Sequence, residues 1–115
     1  MKQESWEQAR QAFRIESECI GKMEAYLDPE SFGAAVRLLA QAERIATCGC
    51  GHSGIACMHF SHLLCCIERP SRFLSPAEAP HGATGFLQEG DVMVFASRGG
   101  KTAELLPILE ICRKK

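Results

Sequence analysis

The chain has 115 residues, 46% of them hydrophobic, and a formal net charge of −1 from 13 basic and 14 acidic side chains. This length predicts one domain with one core, and the balanced charge argues against a nucleic-acid-binding protein, whose surface would be basic. The chain begins with polar and charged residues rather than a secretion signal, and it has no apolar run near the ~20 residues of a membrane helix. We therefore expect a cytoplasmic protein with no nucleic-acid or membrane partner.

Two helices are predicted at the start of the chain. Residues 3–27 form an amphipathic pattern in which large apolar residues recur every seven positions, at Trp6, Phe13, Ile20 and Leu27. This stripe fits a helix lying on its own domain, and it fits a contact with another subunit equally well. Asp28 and Pro29 then predict the N-cap and first position of a second helix. We assign residues 1–43 to an N-terminal helical segment.

The rest of the chain alternates between strands and helices. The predicted elements are a strand at 45–48, a helix at 53–67, a strand at 71–74, a strand at 92–96 and a helix at 102–113. An additional short helix within 79–86 remains open. The helix at 53–67 is apolar on nearly every side, so we expect it to be buried. The strand at 92–96 is an unbroken apolar run, which is typical of the middle of a parallel sheet. This order predicts an α/β fold with a doubly wound parallel sheet.

Three loops rich in glycine or proline follow the predicted strands. They are the first loop, GCGHSG (Gly49–Gly54), the second loop, SPAEAPHG (Ser75–Gly82), and the third loop, SRGGKT (Ser97–Thr102). If the strands are parallel neighbours, all three loops lie at the carboxyl edge of the sheet, where open α/β sheets bind ligands. Glycine amides, serine and threonine hydroxyls and helix N-termini are donors suited to an anion. The loops therefore predict a site for a phosphorylated small molecule.

In order and spacing, the three loops resemble those of the sugar isomerase (SIS) domain family of phosphosugar isomerases and phosphosugar-binding modules. Within that family the resemblance is greatest to arabinose-5-phosphate isomerases, which typically show loops like GxGKSG, HPAEAxHGD and SxSGExxE. Departures from these patterns include His52 in place of a lysine, Ser75 in place of a histidine, Ala83 in place of an aspartate and Lys101 in place of an acidic residue. The resemblance covers roughly residues 44–109.

The resemblance implies an SIS-type three-layer α/β/α fold. The family's sheet has five parallel strands, whereas about three are predicted here, so we expect residues 44–115 to be the N-terminal part of a truncated SIS domain. An open sheet edge and a small core favour association with further copies. We therefore expect a homodimer or homotetramer.

The resemblance also implies a function, the interconversion of aldose and ketose phosphates through an enediol. It ties His81 and Glu104 to that chemistry, and we add His52 as a third catalytic candidate. The phosphosugar-binding candidates are Gly49, Gly51, Ser53, Gly54, Glu78, Ser97, Arg98, Gly99, Gly100 and Thr102. Purely structural roles remain open: Ser53 and Thr102 as helix caps, and Glu104 as a first-turn glutamate. A non-catalytic phosphosugar-binding module and an inactive remnant remain alternative functions.

The seven cysteines raise the question of disulfides and metals. Their odd number and the cytoplasmic expectation predict free thiols. Cys48, Cys50 and His52, with His59 and His62 on the next helix, are residue types that zinc favours, but their C-x-C-x-H spacing matches no common structural zinc site. We therefore predict neither a metal nor a cofactor.

Overall fold

The structure, a computed structural model, describes residues 2–115. Its helices and strands, in chain order, are α1 (Lys2–Met23), α2 (Pro29–Gln41), β1 (Ile45–Gly49), α3 (Gly51–Cys66), β2 (Ser71–Phe73), β3 (Val92–Ala96) and α4 (Leu106–Lys114). Short 3₁₀ turns lie at Glu24–Tyr26, Ala79–His81 and Ala83–Phe86. The chain divides into two compact units, Met1–Ala35 and Val36–Lys115. Among the described residues, no helix has the length and apolar character needed to span a membrane.

The first unit contains α1 and the start of α2. The helix predicted over 3–27 ends at Met23, where a 3₁₀ turn replaces its last residues. The predicted cap of α2 is confirmed, because the Ser31 N–H donates to Asp28 Oδ2 at 2.9 Å. Hydrogen bonds from the Ser31 side chain and backbone lower the pKa of Asp28. The large apolar residues of α1, including Trp6 and Phe13, are exposed.

The second unit is built on a parallel three-stranded sheet in the order β2-β1-β3. Thr47 pairs with Phe73, and Gly49 pairs with Ala96, so the carboxyl ends of the strands and the three loops lie at one edge. This confirms the predicted α/β fold. The expectation that residues 92–96 form the middle strand is wrong, because within residues 2–115 β3 pairs only with β1. Its apolar run reflects packing on both faces of an edge strand that is half-buried throughout.

Helices and turns cover both faces of the sheet. On one face, α3 packs against β1 through a buried stripe of Gly54, Cys57, Ser61 and Leu64. On the other face, residues after β2 and residues of α4 enclose a core that includes Ala46, Cys48, Leu74, Leu105 and Ile108. The expectation that the helix predicted at 53–67 is buried is wrong, because Ile55, Met58 and Leu63 of α3 are exposed. A sheet can contact only one side of a helix, and within the second unit no element covers the other side of α3.

Two polar networks fix the strands. The buried Thr47 hydroxyl donates to the Cys57 carbonyl at 3.0 Å and pairs with the Ser61 hydroxyl at 2.8 Å, which ties β1 to α3. At the opposite edge from the loops, Arg44 donates to both carboxylate oxygens of Asp91, at 3.0 and 2.6 Å, and so joins the start of β1 to the start of β3. These contacts hold the sheet in the register that brings the three loops together.

Candidate functional site

The first loop brings the end of β1 into contact with the start of α3. A β-carbon at Gly54 would lie 2.6 Å from the Gly49 carbonyl oxygen, and one at Gly49 would lie 2.9 Å from the Ser53 carbonyl carbon. Gly51 has a φ of +57°, a left-handed conformation that side chains other than glycine rarely adopt. The three glycines of the loop are therefore required by close approach and by backbone conformation.

The first turn of α3 lies within the first loop and has N–H groups without a helical partner. Its N-cap is Cys50, and within residues 2–115 no side chain caps the helix there. The first N–H groups of a helix have no intrahelical partner, and the macrodipole adds a partial positive charge. Ser53 is half-buried at the third position of α3, so its interpretation as the helix N-cap is wrong. The first turn of α3 can instead donate to an anion.

The third loop is held by its own hydroxyl groups. Ser97 Oγ lies 2.7 Å from Thr102 Oγ1, and the Gly100 N–H donates to Ser97 Oγ at 3.0 Å. Gly100 has a φ of +69°. Arg98, Gly99 and Lys101 are exposed.

The helix that follows the third loop starts later than predicted. α4 begins at Leu106, so Thr102 is not its cap and Glu104 does not lie in its first turn. Proline lacks an N–H group and fits the first turn of a helix, which explains why α4 begins immediately before Pro107. Glu104 therefore lies in an exposed turn between the loop and the helix.

The second loop is folded as compact turns. Leu74 and Ala79 are buried and anchor it on the sheet. Glu78 precedes the turn at Ala79–His81, and its carbonyl accepts the His81 N–H at 3.0 Å. The side chains of Glu78 and His81 are exposed.

A cleft of about 380 Å³ opens at the carboxyl edge of β1 and β2. It is lined by Gly49, Cys50, Gly51, Gly54, Met58, Phe73, Ser75, Pro76, Ala77 and Glu104. It brings together three glycines of the first loop and Glu104, which is the only charged residue in the lining. His52, Ser53, Glu78 and His81 do not line it.

A second cleft, of about 290 Å³, lies beside the third loop and is lined by Phe95, Ser97, Gly100, Thr102, Leu105, Leu106 and Leu109. Six of the ten predicted binding residues therefore line these two clefts, three in each. The other four, Ser53, Glu78, Arg98 and Gly99, line neither. Sequence patterns did not assign Cys50 or Ser75 to the site. Their positions after the ends of β1 and β2 are the signal that could have found them.

The thiols near the site are protonated at neutral pH. Burial, followed by the charge of Glu104, raises the pKa of Cys50. Burial raises the pKa of Cys48 to about 12. All seven cysteines are free, although Cys19, Cys65 and Cys66 are exposed rather than packed in the core. Among the described residues, no group of three or more His, Cys, Asp or Glu side chains is arranged to hold a metal ion.

Comparisons with known proteins place these loops in a family. The family model of the SIS domain matches residues 38–115. Arabinose 5-phosphate isomerase KdsD of Pseudomonas aeruginosa is 29% identical over 106 residues, which cover 92% of this chain and 32% of that protein. The chain thus spans about a third of the length of this curated relative.

Solved structures are similar in fold as well as in sequence. The crystal structure of a candidate sugar-phosphate isomerase from Listeria monocytogenes superposes with a TM-score of 0.97 at 34% identity, over 100% of this chain and 61% of the other. An Escherichia coli CFT073 protein in complex with arabinose 5-phosphate superposes with a TM-score of 0.75 at 27% identity, over 87% of this chain and 54% of the other. Since the family model matches well over half of its residues, the chain belongs to the SIS domain family.

Proposed function

We propose that this chain carries the phosphosugar-binding part of an isomerase that interconverts aldose and ketose phosphates, with arabinose 5-phosphate as the first substrate to test. The observation that carries the proposal is the cleft of about 380 Å³ at the carboxyl edge of the sheet, between the uncapped start of α3 and Glu104. Small-molecule sites typically measure ~300–1,000 Å³. The name of the KdsD relative and the ligand of the Escherichia coli complex support the choice of substrate class.

The phosphate would be held by backbone and hydroxyl donors. The first turn of α3 supplies free N–H groups beside the hydroxyl of Ser53, and the third loop supplies the hydroxyls of Ser97 and Thr102. Arg98 and Lys101 add positive charge on the exposed side of that loop. Glu104 repels a phosphate group, so the phosphate lies away from it and the sugar carbons lie towards it.

The isomerisation itself requires a base. In the proposed reaction the base removes the proton from the carbon next to the aldose carbonyl and returns a proton to the former carbonyl carbon, while the hydroxyl proton moves between the two oxygens through the enediol. Glu104 is our candidate for this base because its carboxylate lines the cleft. His81 and His52, which lie on the second and first loops, are candidates for ring opening and for proton transfer to the oxygens.

A non-catalytic phosphosugar-binding module is the second candidate function. It is favoured by one observation: of the three catalytic candidates, only Glu104 lines the cleft. An isomerisation assay paired with a thermal-shift panel of arabinose 5-phosphate, ribulose 5-phosphate, inorganic phosphate and arabinose separates the two. Turnover supports the isomerase. Stabilisation by the sugar phosphates without turnover supports the binding module, and no stabilisation by any phosphorylated compound contradicts both.

We also propose that copies of the chain associate, as a homodimer or homotetramer, in the cytoplasm. Two features among residues 2–115 support association: the exposed apolar side of α3 and the unpaired outer edge of β3. Burial of the apolar side chains and hydrogen bonding of the strand edge would both stabilise an assembly. Seven free cysteines fit a reducing compartment.

A further inference from the structure

Ser75 occupies a fixed position in the wall of the cleft beside the first loop. It follows the buried Leu74, whose N–H donates to the Thr47 carbonyl at 2.7 Å at the end of β2. The Ser75 carbonyl in turn accepts the N–H groups of Glu78 and Ala79, at 3.1 and 3.0 Å. The backbone is therefore held on both sides of the residue, and the half-buried side chain lines the cleft.

The Ser75 hydroxyl is free to bind a ligand. Within residues 2–115 it makes no hydrogen bond, in contrast with the hydroxyls of Ser97 and Thr102, which pair with each other at 2.7 Å. A hydroxyl donates one hydrogen bond and accepts others, so it can pair with a sugar hydroxyl in either direction.

The surroundings of Ser75 suit a sugar better than a phosphate. Because β2 and β3 flank β1 in the sheet, Ser75 and Glu104 approach the cleft from opposite sides, with Cys50 between them at the end of β1. The lining residues include the thiol of Cys50 and the carboxyl group of Glu104 but no Lys, Arg or His, so this part of the cleft offers no positive charge. Met58 and Phe73 add apolar surface that can pack against the C–H groups of a sugar.

We propose that Ser75 is a specificity residue of the site, whose hydroxyl binds a hydroxyl of the sugar chain on the side of the cleft away from Glu104. The proposal rests on the proposed function, because it requires a sugar phosphate in this cleft. It assigns to Ser75 the recognition of the sugar and leaves the phosphate to the amides of α3 and to the third loop.

The test compares two variants of nearly equal shape, Ser75→Thr, which keeps the hydroxyl, and Ser75→Val, which lacks it. Calorimetric titration gives the dissociation constants of arabinose 5-phosphate and of inorganic phosphate for each. We expect Ser75→Val to weaken the binding of arabinose 5-phosphate by about threefold to tenfold, as for the loss of one neutral hydrogen bond. Ser75→Thr should retain most of the affinity, and the affinity for inorganic phosphate should be the same in both.

The control variant is Ser31→Ala, which removes a serine hydroxyl at the start of α2 and should leave both affinities unchanged. If the unaltered protein binds arabinose 5-phosphate and Ser75→Thr and Ser75→Val bind it equally well, the role of Ser75 is overturned and the proposed function is not. If Ser75→Val loses affinity for inorganic phosphate as much as for arabinose 5-phosphate, the role is also overturned, because the hydroxyl would then act on the phosphate or on the fold. If the unaltered protein binds neither ligand, both the proposed function and this inference are wrong.

Discussion

The carbonyl oxygen of Gly49 lies so close to the Cα of Gly54 that a β-carbon on residue 54 would be only 2.6 Å from it. This contact holds the last residue of β1 against the first turn of α3, and both glycines line the cleft. It is made by backbone atoms on both sides, so it cannot relax through a change of side-chain rotamer.

Replacement of Gly54 by alanine should therefore destabilise the domain. Because the added methyl group meets backbone atoms, we expect a loss of about 1–3 kcal/mol in the free energy of unfolding, the usual cost of overpacking. Urea denaturation followed by circular dichroism measures it. The matched control is Gly21→Ala in α1, where a β-carbon meets nothing within 4 Å and should increase helix stability by up to about 1 kcal/mol. Equal stability of Gly54→Ala and the unaltered protein would contradict the close approach of the two glycines.

Replacement of Ser97 by alanine should weaken phosphate binding. The Ser97 hydroxyl accepts the Gly100 N–H and pairs with Thr102, so its loss removes a phosphate donor and leaves the loop less ordered. Since hydrogen bonds to charged groups are stronger than neutral ones, we expect the affinity for inorganic phosphate to fall about 10-fold to 100-fold. Calorimetric titration provides the measurement. Thr84→Val, which removes a hydroxyl outside both clefts, is the control. An unchanged affinity in Ser97→Ala would exclude Ser97 from the phosphate site.

The ion pair of Arg44 and Asp91 should make stability depend on acid pH. Burial alone would raise the pKa of Asp91, but hydrogen bonds from Arg44 and from the Gln88 N–H outweigh it and lower the pKa below its ordinary value of 3.8. A carboxyl group whose pKa is lower in the folded state than in the unfolded state contributes its full stabilisation at pH values above the unfolded-state pKa. This stabilisation is lost as the pH falls through the folded-state pKa.

We therefore expect Asp91→Asn to lower the free energy of unfolding by about 1–3 kcal/mol at pH 7, because Arg44 is left without its charged partner. The difference in this free energy between the variant and the unaltered protein should shrink below about pH 4. Urea denaturation at a series of pH values measures both effects. Glu89→Gln, an exposed carboxylate in the adjacent turn, should show neither. A difference that stays constant down to about pH 3 would show that the carboxylate charge is not responsible.

Association through the exposed side of α3 should be sensitive to a charge placed there. Ile55 is 61% exposed on a helix that contains no Asp, Glu, Lys or Arg. We expect light scattering after size exclusion to give a multiple of the 12.6 kDa chain mass, and Ile55→Glu to shift it towards a single chain. Lys114→Glu, at the exposed end of α4, is the control for an added negative charge. A dilution-resistant monomer of the unaltered protein would rule out association.

Local sequence signals account for the position of most elements. The apolar run at Val92–Ala96 coincides with β3, and Asp28 with Pro29 marks the start of α2, because strand burial and helix capping depend on residues close in sequence. The predicted start of α4 at residue 102 is wrong, because the restriction imposed by Pro107 outweighs the helical pattern of the residues before it.

The sequence by itself determined the α/β order and the three loops that mark the SIS family, because both depend on short motifs and on the periodicity of apolar residues. Only the tertiary structure decided that β1 is the central strand, that one side of α3 stays exposed, and that Cys50 and Ser75 share a cleft with Glu104 while His52 and His81 lie outside it. These features depend on which elements pack together across the sheet. A local pattern tells which residues can be buried, but not which neighbour will cover them.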